Sequence, residues 1–382
     1  MHALVTRARH LLGLYGTTLR WRASITLVIF MLCGAVWHQQ LLAVTPQLLL
    51  AGLAIASQYA ALVSLNDLAD EAIDRINLCG FRDRPLVTSG VSRDELRVVA
   101  GAAAVVSIGA GFLASPVIGL LLLVSLVLYA EYSLPPLRLS RHAWVAPAHL
   151  ALGYVLVPYT VGVVAVGGRL GARDALFLPG LLLLFFSRSL LKDLRDRWGD
   201  AAHGKRTLVL LHGKSLVSGL SIGALLGGVA LLWLALFPAH PWAAIAILPF
   251  TAGLGIFQVR LLRTGVLRDE VLLVLLAARV SNGMLLTVIG LLLVQQAGAG
   301  TVAMAAVFAT TAAGFALVVV QYLRAPESFR LADEQALRPA LCAVNPPAPK
   351  VPQSGARGDE DAPAMPAAPL PIHEVNAHAL VA

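Results

Sequence analysis

Charge is what this chain lacks. Only 13% of its 382 residues are Asp, Glu, Lys or Arg, about half the share usual in a soluble protein. With 58% hydrophobic residues and a mean hydropathy of +0.78, that scarcity excludes an ordinary water-soluble enzyme. Cysteine is almost missing. Cys33, Cys79 and Cys342 stand far apart, which excludes a disulfide framework or thiolate metal site and leaves unpaired thiols. Aromatic residues make up 7% of the chain, which argues against a cavity walled by rings. The apolar runs show no polar alternation, so membrane β-strands are excluded. No cleavable signal peptide is expected. Residues 1–22 carry Arg7, Arg9, Arg20 and Arg22 around a short apolar stretch, the pattern of an interfacial amphipathic segment.

What is present is a succession of long apolar runs. A helix needs roughly 20 apolar residues to cross the hydrocarbon core. The predicted spans are 24–43, 46–65, 95–113, 116–132, 145–166, 175–191, 216–237, 242–262, 271–294 and 302–323. The fold class is therefore all-α: a polytopic transmembrane helical bundle of about nine to ten spans around a central cavity, with capping loops. Basic residues concentrate in alternate loops, in residues 1–22, 66–94, 133–144, 192–215, 263–270 and the C-terminal tail. The positive-inside rule then puts both termini and the capping loops in the cytoplasm of a multi-pass inner-membrane protein. The net charge of +8 is explained by this loop bias, and nucleic acid is set aside as a partner. Beyond about residue 324 the chain turns rich in Pro and Ala, a composition that cannot bury enough apolar surface to fold. Three segments result: 1–22 interfacial, 23–324 transmembrane, and 325–382 a disordered tail.

Two acidic segments sit at the ends of apolar runs. The first is Asn66-Asp67-Leu68-Ala69-Asp70-Glu71-Ala72-Ile73-Asp74, the second Asp193-Leu194-Arg195-Asp196-Arg197-Trp198-Gly199-Asp200. On a helix, Asn66, Asp70 and Asp74 share one face, and so do Asp193, Asp196 and Asp200. Each face is a column of hard oxygen ligands, the kind Mg2+ takes while bridging to phosphate. Two such columns facing each other repel unless cations lie between them. Bases surround both: Arg75, Arg82, Arg84 and Arg138 in the first half, Lys192, Arg195, Lys205 and Arg206 in the second. Metal plus bases can hold a diphosphate and stabilise its departure, and an apolar bundle beneath suits a hydrocarbon tail. Carboxylates that merely pair with loop arginines are the plainer reading, but matched spacing in two places on one predicted side speaks against it. The segments following the motifs, Arg84-Pro85-Leu86 and Arg206-Thr207-Leu208, suggest an internal repeat of two half-bundles.

At these residues the chain resembles the UbiA superfamily of intramembrane prenyltransferases. The first segment matches that family's NDxxDxxxD motif, and Asp196 and Asp200 match its DxxxD motif. Gly204, Thr207 and Leu208 fit the continuation G-x-x-T-L. Arg84-Pro85-Leu86 with Ser89-Gly90 fit R-P-L…S-G, and Tyr132-Ser133-Leu134-Pro135-Pro136-Leu137-Arg138-Leu139 fits Y-S-x-P-P-x-R-L. The resemblance runs over residues 20–295. It implies a Mg2+-dependent transferase that moves an isoprenyl group from a prenyl diphosphate to a lipophilic or aromatic acceptor, among membrane lipid. Asn66, Asp70, Asp74, Asp196 and Asp200 are implied as ligands of the metal or of its water, with Asp67 and Asp193 as further metal-site acids. Arg75, Arg84, Arg138, Lys192, Lys205 and Arg206 are the candidate diphosphate contacts. Tyr132 is implied either to bond the diphosphate or to face the cation, so Asp70, Asp196 and Tyr132 are the candidate catalytic residues.

The chain departs from the family in two places. Many members have Lys after Arg-Leu; here Ser140 stands there, followed by Arg141, so the charge has moved one position or the head-group contact differs. The span at 302–323 also exceeds the family's usual nine. Elsewhere, Arg279 and Asn282 fall inside a span, where an ionisable residue must find a partner. Glu131 stands beside Tyr132, His203 reads as a loop residue because hard Mg2+ disfavours imidazole, and Trp144 and Trp198 read as interfacial anchors. Three other readings stay open: a terpene cyclase of the same family, a phosphoribosyl transfer to a lipid phosphate, and a transporter or channel, whose acids would lie near mid-membrane.

Overall fold

A computed structural model describes residues 2–38, 44–77, 84–88, 91–265 and 267–324. The expected tail, along with Cys79, Arg82, Ser89, Gly90 and Cys342, lies outside the described residues. Within them the chain is helical: α1 (His2–Thr18), α2 (Trp21–His38), α3 (Pro46–Asn77), α4 (Pro85–Thr88), α5 (Arg93–Ala114), α6 (Pro116–Ser133), α7 (Val145–Ala151), α8 (Val157–Ala165), α9 (Asp174–Ala202), α10 (Leu208–Leu236), α11 (Pro241–Arg263), α12 (Leu267–Gln296) and α13 (Thr301–Arg324). Nine helices are long and apolar enough to cross a membrane, or ten if α1 and α2, bent by 63°, form one span. Large apolar side chains such as Val105, Leu113, Leu120, Leu226 and Leu317 face outward. Only lipid makes such a surface favourable, and the protein is an integral membrane protein.

Local sequence accounts for the turns. Ser115 ends α5 by donating its N–H to Gly111 O at 2.9 Å, and its hydroxyl caps α6 by accepting from Val117 N. Pro116 then occupies the first turn, where its missing N–H does no harm. One residue thus joins two short spans. At the other end of α5, Ser92 and Glu95 form a reciprocal capping box. Between α2 and α8 the backbones nearly touch: a Cβ on Gly34 would collide with Tyr159 O, and one on Gly162 with Met31 O. Small residues allow this approach, and in lipid it supplies the packing that the hydrophobic effect does not. α7 runs into α8 through a π-helical turn, Leu152–Leu156, which sets Gly153 against the Tyr129 ring.

The two motif helices outrun their apolar stretches. α3 continues to Asn77 and α9 to Ala202, so both acidic segments ride on helix rather than in loops. Hydropathy reports membrane depth, and the helix ends lie beyond it. α3 packs on α5 and α9 on α10, the arrangement expected of a repeat. The extra helix α13 lies on the outside with most of its side chains exposed or half-buried; Met304 is buried against the core, and Phe315 reaches in to cover Gly283 and Phe250.

Candidate active site

The motif ends of α3 and α9 touch. Gly199 N donates to Asn77 Oδ1 at 2.6 Å, and a Cβ on Gly199 would come within 2.7 Å of Ile73 O. Only glycine lets the two helices meet this closely, and the meeting brings the acid columns to one cavity. Asn66, Asp70 and Asp74 line it from α3; Lys192, Asp193, Asp196 and Asp200 line it from α9. Arg84, Tyr132, Lys205 and Arg206 complete the predicted set there.

The remaining predicted residues do not reach it. Asp67 follows Asn66 and is therefore turned about 100° around the helix; it is buried against Arg20 and Arg84 instead. Arg75 is turned away from Asp74 in the same sense. It donates to Glu71 at 2.8 Å and to Leu86 O at 3.2 Å, on the surface. Arg138 stays outside the lining but donates to Asp70 Oδ1 and Ala69 O, both at 3.0 Å. Those two bonds anchor its left-handed backbone, φ 41°, a conformation a non-glycine residue keeps only when its surroundings enforce it.

Bases bind the acids together. Lys205 Nζ lies 2.9 Å from Asp70 Oδ2 and 3.3 Å from Asp200 Oδ1, joining the two motifs. Gly204, at φ +65°, reverses the chain after α9 so that Lys205 can fold back, its N–H bonding Asp200 O at 2.9 Å. Burial opposes the charge on Lys205, but the Asp70 and Asp200 carboxylates outweigh it and hold its pKa above the usual lysine value. Arg84 is bonded to Asp67 and to Asp74, the latter at 2.7 Å. Burial works against it too, and those carboxylates raise its pKa in turn. Arg195 holds Asp196 through Nε at 2.6 Å and its terminal nitrogen at 3.0 Å, and Lys192 approaches Asp196 at 3.7 Å.

The loops that cap the cavity are pinned together where Arg206 N meets Arg141 O at 3.4 Å. They contribute residues the motifs did not announce: Ser140, His142 and Thr207, beside Asn77 from α3 and Ser189 from α9. The hydroxyls of Ser140 and Thr207 are buried there with no hydrogen-bond partner. Ser140 therefore fills the place where the family often has Lys, and Arg141 is exposed outside the cavity. The charge has not moved one position; a hydroxyl has replaced it. His203 bonds Gly199 O through Nδ1 at 3.0 Å and serves the helix end. Trp144 is exposed, as an interfacial residue should be, whereas Trp198 lies under the Arg197 guanidinium.

These residues suit a divalent cation of the hard kind. The donors are carboxylate and amide oxygens from two helices, and two idle hydroxyls face the same space. Among the described residues no three acids converge at metal distance; each lining carboxylate bonded in this state is held by a base or by Asn66. Deeper, next to Tyr132, aromatic rings form a continuous column. His149 stacks on Tyr132 at 5.2 Å, Tyr129 lies 6.2 Å from Tyr132, and Tyr154 packs on Phe185 at 5.1 Å and on Tyr59 at 6.0 Å. The low aromatic content of the chain is thus misleading, since the rings are gathered beneath the cavity.

Comparison with known proteins agrees with this architecture. The profile of the UbiA prenyltransferase family matches residues 27–277. Digeranylgeranylglyceryl phosphate synthase of Methanoculleus marisnigri is 30% identical over 226 residues, 56% of this chain and 75% of its own. The enzyme of the same name from Methanopyrus kandleri is 29% identical over 174 residues, 43% of this chain and 59% of its own. A UbiA homolog from Archaeoglobus fulgidus, solved bound to GPP and Mg2+, superposes with a TM-score of 0.55 at 17% identity, over 72% of this chain and 99% of that one. Fold, motif helices and family match converge: this chain belongs to the UbiA family and is one of its membrane-embedded prenyltransferases.

Proposed function

We propose that the enzyme moves an isoprenyl group from a prenyl diphosphate to a lipophilic acceptor, with Mg2+ held between the two acid columns. The observation that carries this reading is the single cavity shared by Asn66, Asp70, Asp74, Asp193, Asp196 and Asp200, bridged by Lys205. The relative solved with GPP and Mg2+ supports the donor class and the metal. The two relatives named for a glyceryl phosphate product favour a phosphate-bearing lipid over an aromatic acid as acceptor. The basic loops support a cytoplasmic position for the capping loops and both termini.

Each residue then has a physical task. Bound Mg2+ supplies Lewis-acid charge to the departing diphosphate. Arg84, Lys192, Lys205 and Arg206 bind and orient diphosphate oxygens through charge-assisted hydrogen bonds. The hydroxyls of Ser140 and Thr207 donate to the same oxygens. The pinned loops 139–142 and 203–207 keep bulk water from the reacting carbon. Tyr132 and the rings below it offer their negative faces to the allylic cation left when the C–O bond breaks. The acids stand at the motif ends of their helices rather than at mid-membrane, which favours an enzyme over a channel.

The test is product analysis. Purified protein, Mg2+ and a panel of prenyl diphosphates are incubated with and without membrane-lipid extract, and products are read by mass spectrometry. A prenylated product that requires the extract supports transfer and reports the acceptor's mass. A hydrocarbon or terpene alcohol formed without extract would replace transfer by cyclisation.

A further inference from the structure

Glu270 is sealed from solvent, 3% exposed, and lies outside the cavity lining, yet it holds two bases that bracket the second half of the site. It stands in the first turn of α12. Arg197 donates to its Oε2 and Lys214 to its Oε1, both at 2.6 Å. Arg197 follows Asp196 and is therefore turned about 100° around α9, away from the cavity and toward α12. It also donates to Leu194 O at 3.3 Å. Lys214, on α10, donates in addition to Thr264 O, just past the end of α11. One carboxylate thus joins the motif end of α9, the start of α10 and the start of α12.

The segment between the two bases is the one that caps the site. Residues 198–213 carry Asp200, Lys205, Arg206 and Thr207, all of them cavity-lining. The backbone within it turns twice through left-handed glycines. Gly204 has φ +65° and Gly213 φ +77°, and the second interrupts the helical conformation of α10. A chain bent at two glycines has little stiffness of its own there, so its shape depends on how its ends are held. Arg197 lies before the first bend and Lys214 directly after the second, and Glu270 holds both. Without the carboxylate, two like charges would be left repelling each other across the space it filled.

We propose that Glu270 is a positioning residue for the donor: by holding Arg197 and Lys214 it fixes both ends of the capping segment and so sets where Lys205, Arg206 and Thr207 meet the diphosphate. This rests on the prenyl-transfer reading and adds a residue that never touches the substrate. Field and clamp predict opposite signs. Removing a negative charge near the site of an anionic ligand by itself favours binding, whereas loosening the clamp weakens it. Groups that hold the diphosphate alike before and during its departure act on KM rather than on kcat. A misplacement of about 1 Å, caused far from the chemistry, can cost about a hundredfold.

The experiment uses full-length protein in detergent with Mg2+, geranyl diphosphate and membrane-lipid extract as the source of acceptor. Glu270→Gln should raise the KM for geranyl diphosphate about tenfold or more and hold kcat within about twofold. Glu270→Asp keeps the charge and should recover part of the loss. Lys214→Met should raise the same KM, and combining it with Glu270→Gln should add little, because both cut one tie. In ligand-free protein, hydrogen exchange of the amides in 203–213 should quicken in Glu270→Gln, and that of α5 should not. An unchanged or lowered KM would overturn the role. So would a fall in kcat at constant KM, which is what a smaller folded fraction produces, or unchanged exchange in the segment. A wild type that neither turns over nor melts higher with geranyl diphosphate and Mg2+ would sink the transfer reading itself, and the exchange comparison would still decide whether Glu270 holds the segment.

Discussion

Lys205 Nζ and Asp70 Oδ2 are 2.9 Å apart, although the residues belong to different motifs and different helices. The same ammonium reaches Asp200 at 3.3 Å, so a single cation stands where two acid columns would otherwise repel. Removing one partner of a buried ion pair costs about 3–5 kcal/mol, because the other charge is left uncompensated. Lys205→Met should therefore melt well below the wild type in chelator. If the cavity takes Mg2+ as proposed, millimolar Mg2+ should close much of that gap. Equal melting of the two proteins in chelator would show that Lys205 does not hold the columns together.

The lining acids and Asp67 should separate by kinetics. Asp70 and Asp196 face the cavity, and Asp67 lies behind it, clamped to Arg20 and Arg84. Loss of a preorganised electrostatic group at a reacting centre typically costs a hundredfold to a thousandfold in kcat, or about 3–4 kcal/mol. Asp70→Ala and Asp196→Ala should lose at least that much turnover while still inserting in the membrane. Asp67→Asn should raise the donor KM through a misplaced Arg84 and keep its response to Mg2+ titration. A wild-type rate in Asp70→Ala would end the metal-site assignment, and a lost Mg2+ response in Asp67→Asn would make Asp67 a ligand.

How much of this was readable from the chain follows from which physics placed each residue. Helical periodicity alone brings Asn66, Asp70 and Asp74 to one face, and all three line the cavity. The same periodicity should have excluded Asp67 and Arg75, each one residue past a cavity-facing position, since 100° of rotation carries a side chain out of the site. Ser140, His142 and Thr207 were harder. They arrive through two loops that meet where Arg206 N bonds Arg141 O, and nothing local in either loop encodes that meeting. Asn77 was also missed, because its partner is a glycine 122 residues away. Glu270 was hidden too: nothing in its own run ties it to Arg197 or Lys214, and both contacts depend on which helices α12 meets.

Gly199 sets the spacing between the motif helices. A methyl group there would meet Ile73 O and the Asn77 amide at 2.7 Å, and the former is backbone that cannot rotate away. Overpacking of this kind costs about 1–3 kcal/mol. Gly199→Ala should lower stability by that order and should also reduce donor affinity, since it pushes the two acid columns apart. Gly204→Ala is the useful comparison. It meets no neighbour and costs only the left-handed backbone, about 1 kcal/mol, yet it should misdirect Lys205. If Gly199→Ala matched the wild type in both melting and donor KM, the close approach of α3 and α9 would not be what positions the site.

The outermost helix should be dispensable for chemistry. α13 packs on the core through Met304, Val307 and Phe315, the last with its ring over Gly283 and 6.0 Å from Phe250. Among the described residues no residue of α13 lines the cavity, and the family match ends at residue 277. In lipid, exposing the face beneath α13 costs less than it would in water, because the acyl chains that replace the helix are as apolar as its side chains. A chain ending at Ala299 should therefore insert, keep the wild-type donor KM in bilayer nanodiscs, and lose stability chiefly in harsh detergent, where Gly283 and Phe250 are uncovered. Loss of turnover in nanodiscs with insertion intact would show that α13 bears on the cavity through α12, and Glu270, in the first turn of that helix, would then be the first side chain to examine.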